Sequence, residues 1–354
     1  MSMQTYALSP GRYNIYKGEI LAHATPQEVL SRAGRSIQMP RNSSDTYMAK
    51  RWIPYGATAT NPNTFFANGT GDRTNALVQL HQTAEGVTPT PDNIVGMNVP
   101  VILQQFSCLY GFTDKTFDLF EDDVPQAMIQ QVGERVTLVN ELYNYGILKA
   151  CTNQFFGGTG VSRSTVNGPV TLGMLQRIAK SLMANHGKTV TRMLSASGDY
   201  GTDAVRGGFL VFCSTDMHPD IRLIPGFTPT ERYASGKPMD NELGKVEDFR
   251  FITTPEFVSL QDAGAAVAAT GLSSTSGTLI DVYQFIVLAD NAWSQIAVRG
   301  LNALDPTYLP PNQKSKSDPH GQRGYAGTTW WKASLLENNG WMAVGNVGSK
   351  VPAN

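Results

Sequence analysis

The chain has 354 residues, 41% of them hydrophobic and only 16% charged, with a formal net charge of -1. That length supports two packed domains, or one domain with large extensions, and the near-zero charge excludes a dedicated nucleic-acid binder with a strongly basic surface. Charged residues usually make up about a quarter of a globular chain; so few suggest that much of the surface does not face water, and burial against copies of itself is one way to account for that.

Residues 1–42 set apolar side chains (Ile20, Leu21, Val29, Leu30) between breakers (Pro10, Gly18, Pro26, Gly34, Pro40). One short helix is predicted over residues 26–33, with Thr25 as its cap. The rest reads as an extended arm that cannot bury a core alone and lies on another surface, in the same or a neighbouring chain. From Ser44 to Thr113 the pattern becomes strand-like: residues 45–54 run outward and residues 99–110 return. About forty residues rich in Asn, Thr, Gly and Pro separate them, and so long a polar excursion within a compact domain marks a functional or disordered loop. A projecting hairpin that finds its partner on a neighbouring subunit fits this pattern.

The strongest helical signal covers residues 123–150, where Met128, Val132, Val136, Val139, Tyr143 and Ile147 recur at three- and four-residue steps. Asp122 or Asp123 can cap it, Pro125 sits acceptably in the first turn, and its length of roughly 40 Å suits a domain spine. The Gly-rich stretch that starts at Phe156 follows. A second amphipathic helix spans residues 171–186 through Leu172, Leu175, Ile178, Leu182 and Met183, with Thr171 as N-cap and Gly187 as a left-handed stop. Strands are read at 208–213, 248–253 and 283–288, and a short helix at 291–298. From Pro310 the chain returns to loops and ends in an aromatic, apolar segment (Trp330, Trp331, Leu335, Leu336, Trp341, Met342).

Catalytic signatures are absent from this pattern: there is no GxSxG, HExxH or P-loop sequence. Gly158-Thr-Gly-Val-Ser-Arg163 resembles the start of a dinucleotide loop, but it lacks the third glycine and the strand–turn–helix frame, so a flexible turn explains it. Asp216-Met-His-Pro-Asp220 has no second histidine nearby and reads as a solvated turn rather than a metal site. The histidines (His23, His81, His186, His218, His320) are scattered. Cys108, Cys151 and Cys213 are far apart and form no CxxC, which predicts reduced, partly buried apolar residues. No catalytic, cofactor or metal residue is assigned, and no cofactor is expected. The first residues lack the apolar core of a signal peptide, and no stretch approaches the roughly 18 apolar residues of a membrane span. A soluble protein made inside the cell, with no membrane partner, is expected.

Charge is unevenly placed. Residues 1–60 carry Arg12, Lys17, Arg32, Arg35, Arg41, Lys50 and Arg51 against Glu19, Glu28 and Asp45, whereas 114–123 carry Asp114, Asp118, Glu121, Asp122 and Asp123 against Lys115. Either the basic arm and hairpin base dock on this acidic patch, in the same or a neighbouring subunit, or the two are independent solvated faces.

Five motifs stand in order: Tyr13-Asn-Ile-Tyr-Lys-Gly-Glu-Ile-Leu-Ala-His-Ala24, Arg51-Trp-Ile-Pro-Tyr-Gly56, Glu85-Gly-Val-Thr-Pro89, Glu242-Leu-Gly-Lys-Val-Glu-Asp-Phe-Arg-Phe-Ile252 and Asp318-Pro-His-Gly-Gln-Arg-Gly-Tyr325. Together they resemble the N-four-type major capsid protein family of tailed bacteriophages, over nearly the whole chain. The resemblance implies an α+β fold of the Hong Kong phage type. In it, residues 1–42 are the N-terminal arm and 43–112 the E-loop with its flanking strands. Residues 113–187 are the P-domain, with its spine helix at 123–150; residues 188–310 are mainly the A-domain with a mixed sheet, and 311–354 a C-terminal loop and return segment.

The implied activity is self-assembly as pentamers and hexamers into an icosahedral shell that encloses double-stranded DNA, built in the host bacterial cytoplasm and then part of the virion. A separate scaffolding protein and a portal are implied as partners, with a decoration protein as a further candidate. DNA contact is expected to be weak and non-specific, because a near-neutral subunit neutralises few phosphates. Arg51, Trp52, Tyr55, Glu85 and Pro89 are the candidate inter-subunit contacts of the loop, and Arg323 another, within a segment expected to fix a crossing loop; aromatic and Arg anchors often dominate such interfaces. The loop region offers only Lys50 for a covalent cross-link, so a non-covalent shell is expected. Rival readings are a tail or decoration component and, further off, an enzyme that works through two converging carboxylates.

Overall fold

The computed structural model describes residues 25–40, 44–54, 57, 63, 82–88, 91, 93–119, 124–190, 207–232, 238–267, 271–298, 304–314, 316 and 318–350. Its first elements are β1 (Arg35–Met39), β2 (Thr46–Trp52), β3 (Gly96–Ile102), β4 (Gln104–Thr113), α1 (Asp114–Leu119), α2 (Val124–Leu148), β5 (Gln154–Phe156) and α3 (Leu172–Ala184). Then come β6 (Phe209–Ser214), α4 (His218–Arg222), β7 (Thr228–Pro229), β8 (Glu242–Val246) and β9 (Phe249–Thr254). The last are β10 (Tyr283–Leu288), β11 (Trp293–Val298), β12 (Asp305–Leu309), β13 (Arg323–Leu336) and β14 (Met342–Val347).

The larger sheet runs β5-β14-β10-β6-β9-β8-β7 and mixes parallel with antiparallel pairs. Its central strands are buried on both faces, so they read as continuous apolar runs such as Phe209-Leu-Val-Phe-Cys213. On one face Met174, Leu175, Ile178 and Leu182 of α3 pack over Phe209, Phe251 and Phe285. On the other, Val29, Leu30, Tyr145 and Leu148 pack over Leu210, Ile252 and Ile286.

The second sheet has five strands in the order β1-β11-β13-β12, with β4 on the opposite edge of β13. Residues 323–332 of β13 pair with β4 along its length, while β12 and β11 share the other edge. The long helix α2 crosses this sheet, setting Val132 and Val136 against Cys108 and Trp330. β2 and β3 form a separate two-stranded ribbon, whose Tyr47, Ala49, Val99 and Val101 side rests on Leu103, Ile296 and Leu335.

Several expectations change. Residues 26–33 give only a 3-10 turn, Leu30–Arg32, capped by Val29, not Thr25; a carboxylate from α2 takes the N–H groups that would have continued the helix toward Thr25. The returning strand is two strands, β3 and β4, broken where Leu103 turns inward and donates its N–H to the Asp45 carbonyl. Residues 291–298 form β11 after a left-handed Asn291, not a helix, because Trp293-Ser-Gln-Ile-Ala-Val298 is buried on both faces between β1 and β13. The segment after Pro310, read as loops, supplies β13 and β14. At the end of α3 the left-handed residue is His186 (φ 58°), and Gly187 is next, donating to the Leu182 carbonyl where a Cβ would sit 2.9 Å from that oxygen. Thr171 does cap this helix, accepting from the Met174 N–H.

Candidate assembly surfaces

Strand alternation gives the β2–β3 ribbon two faces. Cross-strand partners Tyr47↔Val101, Ala49↔Val99 and Arg51↔Met97 turn toward the body, whereas Thr46↔Ile102, Met48↔Pro100, Lys50↔Asn98 and Trp52↔Gly96 turn outward. The outward face is largely apolar: Trp52 is 60% exposed, and Met48 and Ile102 are similarly open. Ile94 and Val95, just before β3, extend the exposed apolar surface. The Lys50 ammonium lies 4.2 Å over the Trp52 ring, a contact worth about 0.5–1 kcal/mol at an open site. Exposed apolar residues gathered on one ribbon face, broken by the Lys50 and Asn98 pair, are characteristic of an interaction surface.

Arg51 takes the opposite side from Trp52. It lines a cleft of about 210 Å³ under the ribbon with Arg35, Tyr47, Leu335 and Glu337. Burial pulls its guanidinium below the ordinary value, and the Glu337 charge partly restores it. Arg35 lies 3.9 Å from the same carboxylate, and Arg32 pairs with Asp240 at 2.9 Å. Within the chain, these arm arginines therefore pair with Asp240 and Glu337 rather than with the acidic patch at 114–123, of which 121–123 lie outside the described residues.

Glu85 sits exposed in a turn closed by the Val87 N–H to the Ala84 carbonyl, with Gly86 at φ 80° as such a turn demands. Tyr55 and Pro89 lie outside the described residues. Arg323 opens β13, exposed, and its backbone N–H is donated to Asp318 Oδ2 at 2.9 Å, with Gly321 N–H on Oδ1 at 3.1 Å. Desolvation tends to raise the Asp318 carboxyl, but backbone donors from Gln322, Arg323 and Gly321 and the Arg323 charge outweigh it and hold it below the usual range. The structure thus gives Arg323 and Asp318 a shared intrachain task, ordering the turn into β13.

A second apolar surface was not legible from spacing. Between α2 and the edge strand β12 lies a groove of about 550 Å³ lined by Ile129, Val132, Leu304, Pro306, Tyr308 and Thr328. Ile129, Leu304 and Tyr308 are exposed, and Thr328 Oγ1 is buried there without a hydrogen-bond partner among the described residues. β12 carries no buried residue, so a helical or strand period fitted to it alone detects nothing.

The stretches weighed for chemistry are occupied by structural work. Thr215–Met217 forms a 3-10 turn leading into α4, so the 216–220 segment is ordered and partly buried rather than a solvated turn. The buried Asp220 carboxylate accepts Ser349 Oγ at 3.0 Å and the Lys350 N–H at 2.9 Å. In the glycine loop, Asn167 fills the space beside Gly158, where a Cβ would lie 2.0 Å from its Oδ1. The three cysteines are free and buried, and burial pushes the Cys151 thiol up to about 11 and Cys213 higher still. Among the described residues no three His, Cys, Asp or Glu side chains are grouped to hold a metal, and no helix is long and apolar enough to cross a membrane.

No protein-family model matches the sequence. Over 263 residues the chain is 22% identical to the major capsid protein of Pseudomonas phage KPP21, covering 68% of this chain and 65% of that protein, just under two thirds of its length. The Cyanophage Pam1 capsid asymmetric unit superposes with a TM-score of 0.60 at 16% identity, over 99% of this chain and 100% of that one. The capsid of Ralstonia phage GP4 does so with a TM-score of 0.60 at 9% identity, over the same shares. The chain has the tailed-phage capsid fold.

Proposed function

We propose that this chain is the major capsid protein of a tailed bacteriophage, a non-enzymatic subunit that self-assembles as pentamers and hexamers into an icosahedral shell around double-stranded DNA. The observation that carries this reading is the end-to-end likeness to phage capsid subunits, on a chain that leaves an apolar ribbon face uncovered. In this reading residues 1–42 are the arm, 43–112 the E-loop with its flanking strands, 113–187 the P-domain with α2 as its spine, 188–310 mainly the A-domain, and 311–354 the C-terminal loop and return segment. Trp52 and Met48 bear on a neighbouring subunit, while Arg51 holds the ribbon base to its own body. Tyr55, Glu85 and Pro89 lie on the same loop and join Trp52 at the neighbour.

A scaffolding protein guides assembly in the host cytoplasm, a portal occupies one vertex, a decoration protein is a further candidate partner, and contact with DNA is weak and non-specific. Electron microscopy of the full-length chain, expressed with and without its scaffolding protein, tests the reading. Closed shells or capsomer rings are expected. The double variant M48S/W52S should keep the wild-type circular dichroism and unfolding midpoint yet lose most shells, because both side chains are open in the subunit. A wild-type chain that remains monomeric under every condition, with its apolar face stable in water, would overturn it.

A further inference from the structure

In its second half α2 buries three polar side chains, Asn140, Glu141 and Asn144, beside the apolar Tyr145 and Leu148. The two asparagines have partners on β13: Trp330 Nε1 donates to Asn140 Oδ1 at 3.0 Å and Ser334 Oγ to Asn144 Oδ1 at 2.8 Å. Glu141, with no exposed surface, turns to the N-terminal segment instead. Its carboxylate accepts the backbone N–H groups of Val29 and Leu30, each at 3.2 Å. These N–H groups open the 3-10 turn at Leu30–Arg32 and have no acceptor within it.

The charged groups around Glu141 are few. Glu28 acts on it from the N-terminal segment and Lys332 from β13, while Glu134 and Arg135, the other charged residues of α2, do not. Lys332 is buried, with its ammonium 3.9 Å from Glu28. Two carboxyl groups thus share one ammonium where three segments of the chain meet, and a fully ionised junction holds one negative charge too many.

We propose that Glu141 is a proton-operated clamp, which fixes residues 28–30 to the long helix and grips them more tightly once it has taken up a proton. Burial pushes the carboxyl up to about 7, against the two backbone donors; the Glu28 charge adds to the rise and Lys332 opposes it. When the segment lifts away the carboxyl meets water and returns toward its ordinary value. The docked state therefore binds the proton more strongly, so docking strengthens as pH falls through 7 and weakens above it. Lys332, pulled down to about 8 by burial, works the other way: the docked state holds its proton less tightly, so its own contribution favours docking as pH rises through 8. Together they give a docking equilibrium constant about five- to ten-fold larger at pH 6 than at pH 8. That such a clamp tunes how the arm reaches neighbouring copies rests on the capsid reading; the clamp itself does not.

Amide hydrogen exchange at Val29 and Leu30 in the full-length chain, corrected for the intrinsic pH dependence of exchange, reads docking directly. Protection should rise about five- to ten-fold from pH 8 to pH 6, and Glu141→Gln, uncharged throughout, should flatten that rise. Lys332→Met removes the opposing charge and should move the midpoint of the protection curve to higher pH, a displacement that a purely structural contact would not produce. Wild-type protection that is level between pH 8 and pH 6, or a wild-type slope retained by Glu141→Gln, overturns the clamp. Should Glu141→Gln not fold, an unmoved midpoint in Lys332→Met does the same. A working clamp on a chain that never forms shells would leave this inference standing and remove the capsid reading.

Discussion

Glu242 and Arg250 belong to one motif that was visible in the sequence, but their pairing was not. On β9 Arg250 is opposite Lys245, and regular pairing would set Ile252 opposite Leu243. An irregularity between Glu242 and Gly244 instead places Glu242 opposite Ile252, on the side of the sheet that Arg250 occupies. The guanidinium then meets the carboxylate through Nε and Nη2, with both side chains almost wholly buried. Removing one member of a buried pair strands the other charge, which typically costs about 3–5 kcal/mol. Arg250→Met should lower unfolding stability by that amount in denaturant titration, and Arg250→Met with Glu242→Leu by clearly less. No periodicity announces a one-residue bulge, because it breaks the period on which such a reading depends.

At the scale of elements, α2 shows both what spacing captures and what it misses. Val132 and Val136 were read as its inner face and are buried. Farther along, the apolar steps pointed to Val139, Tyr143 and Ile147, yet the most deeply buried positions are Glu141, Asn144 and Leu148. Hydrophobic period identifies the core-facing side only while the core is apolar, and here the helix meets the polar backs of β13 and the N-terminal turn. Trp330→Phe should test that polar seam. The ring still packs on Phe106, 5.7 Å between centroids, but Asn140 Oδ1 loses its donor. A loss of about 1–3 kcal/mol in unfolding free energy is expected, the usual cost of a stranded buried acceptor. The opposite error occurred at 291–298, where six residues buried on both faces were taken for a turn or two of helix. Short apolar runs are ambiguous until their neighbours are known.

For the whole molecule, the two sheets are tied at the last two of the three places where the chain passes between them, the first being from β4 to β5. β10 hands over to β11 and β13 to β14, and the crossings touch, since Glu337 and Asn338 both donate their N–H groups to the Ala292 carbonyl. This long-range closure was beyond reach from the sequence because both crossings lay in segments assigned to other structures. What remained legible was organisation: an N-terminal segment laid on the body, a ribbon with its outward and return strands, one long helix and a β-rich remainder. The groove beside α2 is a second place where the subunit leaves apolar surface open. Ile129→Glu there should shift the subunit's unfolding free energy by no more than about 0.5 kcal/mol, as exposed substitutions do, while lowering the yield of particles counted by electron microscopy. Unchanged yield would mean that the groove is not an assembly contact.

The ends of the seven-stranded sheet carry a last consequence. Among the described residues it stops at Gln154–Phe156 on one side and Thr228–Pro229 on the other, strands of three and two residues, the second closed by a proline that has no N–H to offer. Frayed margins of this kind make poor templates for another backbone. If the capsid reading proposed above holds, crowded copies would find little backbone to pair with at the margins of this sheet, and contacts between them would fall on side-chain faces instead.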